Sequence, residues 1–474
     1  MIDVFHDYQS ERKQNWDGIA KAQQNHLNLG KTYHKLLDRF FKSVVPTHMK
    51  VLELGCGEGD LLSELKPRSG VGVDFSPEMI KNARKKHPHM TFIEADIHDF
   101  EIEGTFDYII LSDLLNDLWD VQHALNHIKK YTVPETKIVF NFYSRVWELP
   151  LSLAIKMKWA TPVLKQNWFS TMDVKDILYL TDYEVLQSGS EILCPIYIPV
   201  LSPFANRFLS KIWPFNFFNF TAVMIARPKP KENKPHAKVS VVVPARNEEG
   251  NIPDIVNRIP EMGLGTEILF IEGGSSDNTW QTIEKVIADN PDKNIQCARQ
   301  NEKGKGDAVR KGFSLATGDL FMILDADMTV LPEDLPKFYD VWQSGKAEFV
   351  NGVRLVYPMQ QEAMRFFNLL GNKFFSIAFS WVLGQPVKDT LCGTKVISRK
   401  NYEIIVRNRS FFGDFDPFGD FDLLFGAAKI NLKIADLPIR YHARRYGETN
   451  IDRWRHGLIL LRMLVFAAHK LKFI

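Results

Sequence analysis

Two aspartates separated by a single residue follow an apolar run in the second half of the chain. The run FMILDADMTV places Asp325 and Asp327 directly after four apolar residues, as at the end of a buried strand. Two carboxylates at one strand end can reach a single divalent cation, and Mg²⁺ and Mn²⁺ prefer oxygen ligands. Such a cation bridging a diphosphate would neutralise the charge that grows on a leaving group. We therefore predict that Asp325 and Asp327 bind Mg²⁺ or Mn²⁺ and act in catalysis.

Polar residues also follow two strand-like runs upstream of this aspartate pair. The run VSVVVPA leads into a loop with Glu248, where a nucleotide could be held, and ILFIE ends at Glu272 and is followed by Asp277. A glycine-rich turn, NEKGKGD, then brings Lys303 and Lys305, whose charge suits phosphate. Together with the aspartate pair, this order predicts a site for a nucleotide diphosphate.

A different glycine-rich turn lies in the first half of the chain. The strand-like run VLEL continues into Gly55, Gly57 and Gly59 and then into a helical pattern. Glycines let the backbone turn sharply and approach a ligand, and a helix N-terminus adds free N–H groups. The next two strands lead to Asp74, which could accept two ribose hydroxyls, and to Asp96, which could meet an adenine edge. The spacing G-x-G-x-G differs from the G-x-G-x-x-G of dinucleotide sites.

Length and pattern predict two α/β domains that position these residues. At 474 residues the chain is too long for one hydrophobic core. In each half, β-branched runs alternate with helical patterns. Residues 228–237 are rich in Pro and Lys and suit a solvated linker. We predict a first domain over residues 1–227 and a second over residues 238–474.

Composition argues against nucleic-acid-binding, disulfide-rich and membrane-spanning proteins. A formal net charge of +2 gives no support for nucleic-acid binding. The four cysteines are scattered, without the spacing of a zinc site or a disulfide framework, which fits a reducing compartment. The N-terminus is polar, and we see no run of the roughly 20 apolar residues that cross a bilayer. We expect a cytoplasmic protein whose membrane contact, if any, is peripheral.

The first half resembles a class I S-adenosylmethionine-dependent methyltransferase over roughly residues 30–227. The glycine turn and strand-end acids carry this likeness, together with FDYIILSDLLNDLWD and with FNFTAVMIARP, which resembles the antiparallel last strand of that fold. The resemblance implies a Rossmann-like fold in which Asp113, Asn116 and Asp117 lie near the reacting centre. It also implies that six residues bind the cofactor S-adenosyl-L-methionine: Glu53, Gly55, Gly57, Gly59, Asp74 and Asp96. Neither a general base nor the methyl acceptor is identified, and a non-catalytic cofactor-binding module is the alternative.

The second half resembles glycosyltransferase family 2, with its GT-A fold, over residues 238–474. Within that family it looks most like the dolichyl- and polyprenyl-phosphate sugar transferases, through NGVRLVYP, DTLCGTKV, FGDFDLLFGA and LPIRYHARRYGETN. The resemblance implies inverting transfer from a nucleotide-sugar and a phosphate-facing catalytic residue, Arg354. It implies that the nucleotide-sugar contacts Pro244, Glu248, Glu272, Asp277, Lys305 and Asp325. The strand end reads Glu-Gly-Gly-Ser where the family pattern is Asp-Asp-Gly-Ser, which leaves the nucleobase open.

Two kinds of acceptor fit the second half. A sugar hydroxyl needs a base, for which Asp420 and Asp422 are candidates, although Asp420 also suits a helix N-cap. A lipid phosphate, whose second pKa is near 6, needs cations instead. Arg440, Arg444 and Arg445 supply them. We predict a polyprenyl-phosphate acceptor, with a soluble or cell-wall glycan as the alternative.

Two segments in the second half could meet a membrane surface. Residues 366–383 are apolar but interrupted by Asn368, Asn372, Lys373 and Ser376. The C-terminal tail combines an apolar run with bracketing arginines and lysines, a pattern of helices that lie in the headgroup region. Plain packing against a core is the alternative. We favour the membrane for the tail, and hence peripheral contact with the inner face of the cytoplasmic membrane.

Overall fold

The computed structural model describes residues 2–22, 29–157, 164–302, 304–354, 356–357, 366–408, 421–444, 446 and 453–473. The chain divides into two compact units. The first comprises Met1–Lys229 with Phe473–Ile474, and the second comprises Pro230–Lys472. Each unit contains one seven-stranded sheet. The predicted order of two α/β domains is confirmed.

The first unit is built on a mostly parallel sheet of order β3-β2-β1-β4-β5-β7-β6. Strand β7 runs antiparallel to both of its neighbours, as predicted for the last strand. The order reverses at β1, so the carboxyl ends of β1 and β4 flank a crevice of the kind that binds ligands in open α/β sheets. The strands are β1 (Lys50–Leu54), β2 (Ser69–Asp74), β3 (Thr91–Glu94), β4 (Tyr108–Leu111), β5 (Lys137–Tyr143), β6 (Tyr183–Glu191) and β7 (Thr221–Pro228).

Helices cover both faces of this sheet because its strands are apolar on both sides. Leu52 and Ile109 belong to one buried cluster, and Val51 and Ile110 belong to another. The helices are α1 (Ile2–Ala22), α2 (Leu29–Val44), α3 (Asp60–Glu64), α4 (Pro77–Lys86), α5 (Val121–Ile128), α6 (Glu148–Lys156), α7 (Thr171–Leu180) and α8 (Leu201–Arg207). Helix α1 has no counterpart among the predicted elements.

The second unit has a mixed sheet of order β10-β9-β8-β11-β13-β12-β14. Strands β10, β9, β8 and β11 are parallel, and β13 is antiparallel to β11 and β12. This is a GT-A-like sheet, and it brings the ends of β8, β9 and β11 to one edge. The strands are β8 (Val239–Ala245), β9 (Thr266–Glu272), β10 (Asn294–Arg299), β11 (Leu320–Ile323), β12 (Phe349–Val353), β13 (Lys395–Ser398) and β14 (Ile434–Pro438).

Two buried clusters again lie on opposite faces of this sheet. Val241 and Met322 contribute to one, and Val242 and Phe321 contribute to the other. The helices are α9 (Ile252–Arg258), α10 (Thr279–Asp289), α11 (Lys305–Leu315), α12 (Leu335–Gln343), α13 (Phe366–Leu383), α14 (Arg399–Arg407), α15 (Phe421–Lys429) and α16 (Arg453–Ala467).

Candidate functional sites

The glycine turn of the first unit joins β1 to α3. Gly55, Gly57 and Gly59 have φ values of 71°, 51° and 78°, a region that side chains disfavour. A Cβ at Gly59 would lie 2.6 Å from the ring of Phe92, whereas a Cβ at Gly57 would have no atom within 4 Å. The outer two glycines are therefore required by packing and backbone conformation. Gly57 leaves open space where a ligand could approach the backbone.

Asp74 lies beside this turn, at the end of β2. Its Oδ2 accepts the Gly57 N–H at 2.9 Å, and its Oδ1 accepts the Ser76 N–H at 2.9 Å. Burial raises the pKa of the Asp74 carboxyl, although these two N–H groups oppose the shift. Glu53 lies under the turn, where its Oε2 accepts the Leu62 N–H of α3 at 3.1 Å. The cofactor contacts predicted for both acids remain predictions.

Helix α1 lies beside the other predicted cofactor residues. Gln9 donates to Asp96 Oδ2 at 2.6 Å, and Asp17 contacts the hydroxyl of Ser76 at 2.5 Å. Asp96 also accepts the His98 N–H at 2.8 Å. This helix was not predicted, because its polar and charged residues are typical of a solvated N-terminus. It is an additional element at the edge where the cofactor is expected.

Asp113 is held at the end of β4 by two side chains that the sequence analysis missed. Its Oδ1 accepts the Tyr33 hydroxyl at 2.6 Å and the Asn141 amide at 2.5 Å. Its φ of 53° is unusual for a residue with a side chain, and burial raises the pKa of its carboxyl. Asn141 could have been noticed, because it interrupts the apolar run IVFNF within the strand KIVFNFY.

The two neighbours predicted near the reacting centre make other contacts. Asn116 is buried, donating to the Asn167 carbonyl at 2.6 Å and accepting the Tyr143 N–H at 3.0 Å. Asp117 lies 3.8 Å from Arg12 of α1. Asn116 therefore supports the loop after β4, whereas Asp113 carries an ionisable group at the strand end.

In the second unit the aspartate pair follows β11 and meets two cations. Asp325 Oδ1 lies 2.6 Å from Lys305 Nζ, and Asp327 Oδ2 accepts from Arg444 at 3.0 Å. Asp327 Oδ1 also accepts the Thr329 hydroxyl at 2.7 Å, which fixes the carboxylate. Arg444 reaches Glu248 as well, at 3.4 Å. The structure thus brings together Lys305, Glu248, Arg444 and both aspartates.

Gly393 packs directly against Asp325 and Lys305. A Cβ on Gly393 would collide with Asp325 Oδ2 and Lys305 Nζ. Gly393 belongs to the DTLCGTKV stretch, so a distant segment sets the position of Asp325. Among the residues that the structure describes, no group of three or more His, Cys, Asp and Glu side chains is placed to hold a metal ion. Two carboxylates remain, which suits Mg²⁺ when substrate phosphates complete its shell.

The predicted nucleotide residues line the same sheet edge. Burial raises the pKa of Glu248 to about 7, while Arg444 and the Asn251 amide, 2.7 Å away, oppose the shift. Asp277 accepts the Thr279 N–H at 3.0 Å at the start of α10. Burial opposes ionisation of Asp277, but these hydrogen bonds hold its pKa below the ordinary value. Glu272 accepts the Ser275 N–H at 2.5 Å, and Pro244 lies in β8.

The residues predicted at the acceptor side are less closely gathered. Arg354 forms a buried two-point ion pair with Asp389, at 2.8 and 2.9 Å. Arg440 lies over the ring of Tyr357 at 5.4 Å, and Asp422 lies in the first turn of α15. Asp420 and Arg445 lie outside the described residues. The predicted catalytic and phosphate-binding roles of these residues remain predictions.

Comparison with known proteins identifies both halves. A family model for a methyltransferase domain matches residues 46–182, and the model "Glycosyl transferase family 2" matches residues 240–406. The chain joins a methyltransferase domain to a family 2 glycosyltransferase domain. Each match includes the strands that carry the sites described above, and the second includes Asp325, Asp327 and Gly393.

Named relatives resemble the glycosyltransferase domain. The dolichol-phosphate mannosyltransferase of Pyrococcus furiosus is 35% identical over 219 residues, which are 45% of this chain and 59% of that protein. The undecaprenyl-phosphate 4-deoxy-4-formamido-L-arabinose transferase of Yersinia pestis is 33% identical over 179 residues, which are 37% and 53% of the two chains. The chain therefore spans little more than half the length of either relative.

A solved structure resembles the methyltransferase half. The magnesium protoporphyrin IX methyltransferase of Synechocystis is 16% identical and covers 48% of this chain and 100% of its own, at a TM-score of 0.34. This similarity is too low to support an argument about the reaction.

The two segments of the glycosyltransferase domain with predicted membrane contact are helices α13 and α16. Leu460, Met463 and Ala467 of α16 are buried in the core, so the tail packs along one face. Other apolar residues of these helices are exposed at helical spacing: Phe374, Ile377 and Trp381 on α13, and Leu458, Leu461 and Val465 on α16. None of the described helices is both long and apolar enough to cross a membrane.

Proposed function

We propose that the glycosyltransferase domain transfers a sugar, with inversion, from a nucleotide-sugar to a polyprenyl phosphate. The observation that carries this proposal is the convergence of Asp325, Asp327, Lys305, Glu248 and Arg444 at the end of β11. Anions and cations alternate there within hydrogen-bonding distance, as a site for a charged diphosphate requires. The names of the two relatives, which act on dolichol phosphate and undecaprenyl phosphate, support the class of acceptor.

Asp325 and Asp327 would hold a Mg²⁺ or Mn²⁺ ion in this site. When bound, the ion would supply charge stabilisation for the departing diphosphate. The fit rests on the donor set, two carboxylates at one strand end, and on Gly393, whose missing side chain makes room for the Asp325 carboxylate itself. Lys305 and Arg444 contact these carboxylates and are also placed to meet phosphate oxygens.

The acceptor needs cations more than it needs a base. A phosphate monoester is largely ionised at neutral pH and is already nucleophilic, since its second pKa is near 6. Arg444 and Arg440 would screen its charge beside the negatively charged donor.

The test is a panel of nucleotide-sugars offered to the full chain with a short-chain polyprenyl phosphate in detergent, followed by mass spectrometry. We expect one lipid-linked sugar product, lost in EDTA and in Asp325→Asn or Asp327→Asn. The exposed residue Asp319→Asn is a matched control outside the site and should keep activity. Product formation in EDTA at the untreated rate would show that the metal assignment is wrong.

We also propose that the methyltransferase domain binds S-adenosylmethionine and transfers its methyl group to an acceptor near Asp113. Asp74 would bind the ribose hydroxyls, and Gly57 would let the backbone approach the methionine portion. Calorimetry should detect binding, and Asp74→Ala should weaken it by roughly 1.5–3 kcal/mol because charge-assisted hydrogen bonds are lost. Asp60→Ala, on the same turn, is the matched control. No binding by the folded wild-type chain would refute the proposal.

A further inference from the structure

The methyltransferase domain carries an exposed apolar surface that the sites above do not use. It consists of α6 with Met157 and of the exposed apolar residues between 196 and 218, in the connection from β6 to β7. We call this surface the apolar cap. Leu149 and Leu153 lie one turn apart on α6 and are 75% and 58% exposed. Val200 and Trp213 are 84% and 81% exposed. A contiguous apolar surface of this kind marks an interaction site in a folded protein.

The two parts of the apolar cap are joined. The Trp147 indole, at the start of α6, donates to the Phe218 carbonyl at 3.0 Å. The ring of Trp147 also meets the edge of Phe220, with centroids 5.4 Å apart. These contacts place the start of α6 beside the end of the β6–β7 connection.

In a surface loop, polar side chains usually face the solvent and apolar side chains face the core. In the β6–β7 connection, several polar side chains are instead hydrogen-bonded to backbone groups within the segment. Ser202 accepts the Ile198 N–H at 2.7 Å, the Asn206 amide donates to the Cys194 carbonyl at 2.7 Å, and the Asn219 amide donates to the Ser210 carbonyl at 2.8 Å. These bonds hold the segment in a defined shape while Val200, Trp213 and other apolar residues face outward. The exposure is therefore built into the fold.

Charge and residue type indicate what this surface contacts. Residues 145–157 and 191–220 contain four basic side chains, Arg145, Lys156, Arg207 and Lys211, and two acidic side chains, Glu148 and Glu191. Arg145 pairs with Glu148 and Lys211 pairs with Glu191, so Lys156 and Arg207 make up the basic excess. Trp and Tyr favour the boundary between headgroups and hydrocarbon, and Phe, Leu and Val favour the hydrocarbon. An apolar surface with an excess of basic residues matches an anionic lipid surface.

The apolar cap also lies next to Asp113. Phe220, at the end of the connection, contacts the ring of Tyr33 at 5.5 Å, and the Tyr33 hydroxyl donates to Asp113. A surface that binds lipid here would bring the site at the end of β4 close to the headgroups.

We propose that the apolar cap docks on the surface of an anionic lipid bilayer. This surface belongs to the first unit, whereas α13 and α16 belong to the second. Together with the proposed methyl transfer, on which this last step rests, docking selects a methyl acceptor that is carried by a lipid. Docking itself requires neither activity.

The experiment measures partition of the full chain on vesicles of phosphatidylethanolamine and phosphatidylglycerol, and on vesicles of phosphatidylcholine alone. The test variant is Leu149→Gln/Leu153→Gln/Trp213→Gln/Phe217→Gln, which changes only exposed side chains. The control is Met172→Gln/Leu180→Gln on α7, where both residues are more than 60% exposed in the same domain. Circular dichroism and S-adenosylmethionine calorimetry check the fold of each variant.

We expect the partition coefficient on anionic vesicles to fall at least about tenfold in the cap variant, because apolar burial is lost. The α7 control should bind as the wild type does. Brominated lipid should quench the wild type more than Trp213→Phe, which assigns contact to the cap. Equal partition of wild type and cap variant, or no binding by the wild type, would overturn the proposal. So would a wild-type dimer that the cap substitutions dissociate, because a second copy would then cover the surface.

This result is independent of sugar transfer. The cap variant should form lipid-linked sugar at the wild-type rate with a short-chain acceptor in detergent. Asp325→Asn should keep vesicle binding. Failure of either function therefore leaves the other measurable.

Discussion

At the residue scale, Gly393 is important because it has no side chain to displace the neighbouring site residues. It lies in DTLCGTKV, far along the chain from Asp325, yet a Cβ there would displace both Asp325 and Lys305. Gly371, on α13, has no atom within 4 Å of where its Cβ would lie. Comparing an alanine at each of these two positions therefore separates the effect of the collision at Gly393 from any general effect of replacing a glycine.

We predict that Gly393→Ala abolishes most sugar transfer while the domain stays folded. Overpacking costs about 1–3 kcal/mol of stability, which a folded domain commonly tolerates, but the aspartate pair cannot keep its position. Sugar transfer and Mn²⁺ binding by calorimetry measure the effect, and Gly371→Ala is the control. A Gly393→Ala protein with full activity would show that Asp325 is not held as described.

Burial raises the pKa of Glu248 from 4.5 to about 7. Between those values the unfolded chain has lost the proton and the folded chain retains it. This group therefore makes the wild type less stable as pH rises from about 4.5 to 7, and its effect is constant above that range.

We predict that Glu248→Gln removes this pH dependence. The variant should gain about 1–3 kcal/mol relative to the wild type between pH 5 and 8, since one pKa unit corresponds to about 1.4 kcal/mol. Denaturant unfolding of the second unit at several pH values measures the difference. If the difference between the two proteins does not change with pH, Glu248 is ionised throughout and the Arg444 pair dominates.

At the scale of elements, the sequence predicted which acidic residues lie at strand ends. It did not predict which other side chains contact those residues. Apolar strands followed by acids or glycines predicted the placement of Asp74, Glu272 and Asp325, because parallel strands end at one edge. The contacts of Asp113 with Tyr33 and Asn141 join residues that are 80 and 28 positions apart in the sequence. Sequence spacing contains no information on such pairs. The apolar cap was missed for a related reason, since an aromatic-rich segment normally indicates a core.

Helix α16 shows how packing and membrane contact can share one element. Its residues Leu460, Met463 and Ala467 face the core, whereas Leu458, Leu461 and Val465 face outward. Deleting residues 453–474 would expose the core, so deletion cannot test membrane contact. Substitution of the outward residues can.

We predict that Leu458→Gln/Leu461→Gln/Val465→Gln weakens binding of the chain to anionic vesicles and lowers sugar transfer to a long-chain polyprenyl phosphate in vesicles. Burying these side chains favours binding by about 0.8 kcal/mol per methylene, so at least about a tenfold loss is expected. Transfer to a short-chain acceptor in detergent should not change, which controls for folding. The α7 variant Met172→Gln/Leu180→Gln is the matched control for vesicle binding. Unchanged vesicle binding would show that α16 packs against the core and does not contact the membrane.

At the scale of the whole molecule, each unit has its own sheet, its own buried clusters on both faces and its own site. Among the described residues named for the two sites, Asp74 and Gly57 belong to the first unit, and Asp325 and Gly393 belong to the second. If the methyltransferase domain is instead a non-catalytic module that supports the glycosyltransferase domain, cofactor binding should change the rate of sugar transfer.

We predict that the two sites are independent in the full chain. Asp74→Ala should weaken S-adenosylmethionine binding and leave sugar transfer at the wild-type rate, and Asp325→Asn should do the reverse. The double variant should show the sum of the two effects within about 0.5 kcal/mol, as independent sites do. Calorimetry and the mass-spectrometric transfer assay provide the two measurements. If Asp74→Ala slows sugar transfer in a folded protein, or if added S-adenosylmethionine speeds it in the wild type only, the sites are coupled. The first domain would then regulate its neighbour through cofactor binding, which is the non-catalytic alternative, and independence would be wrong.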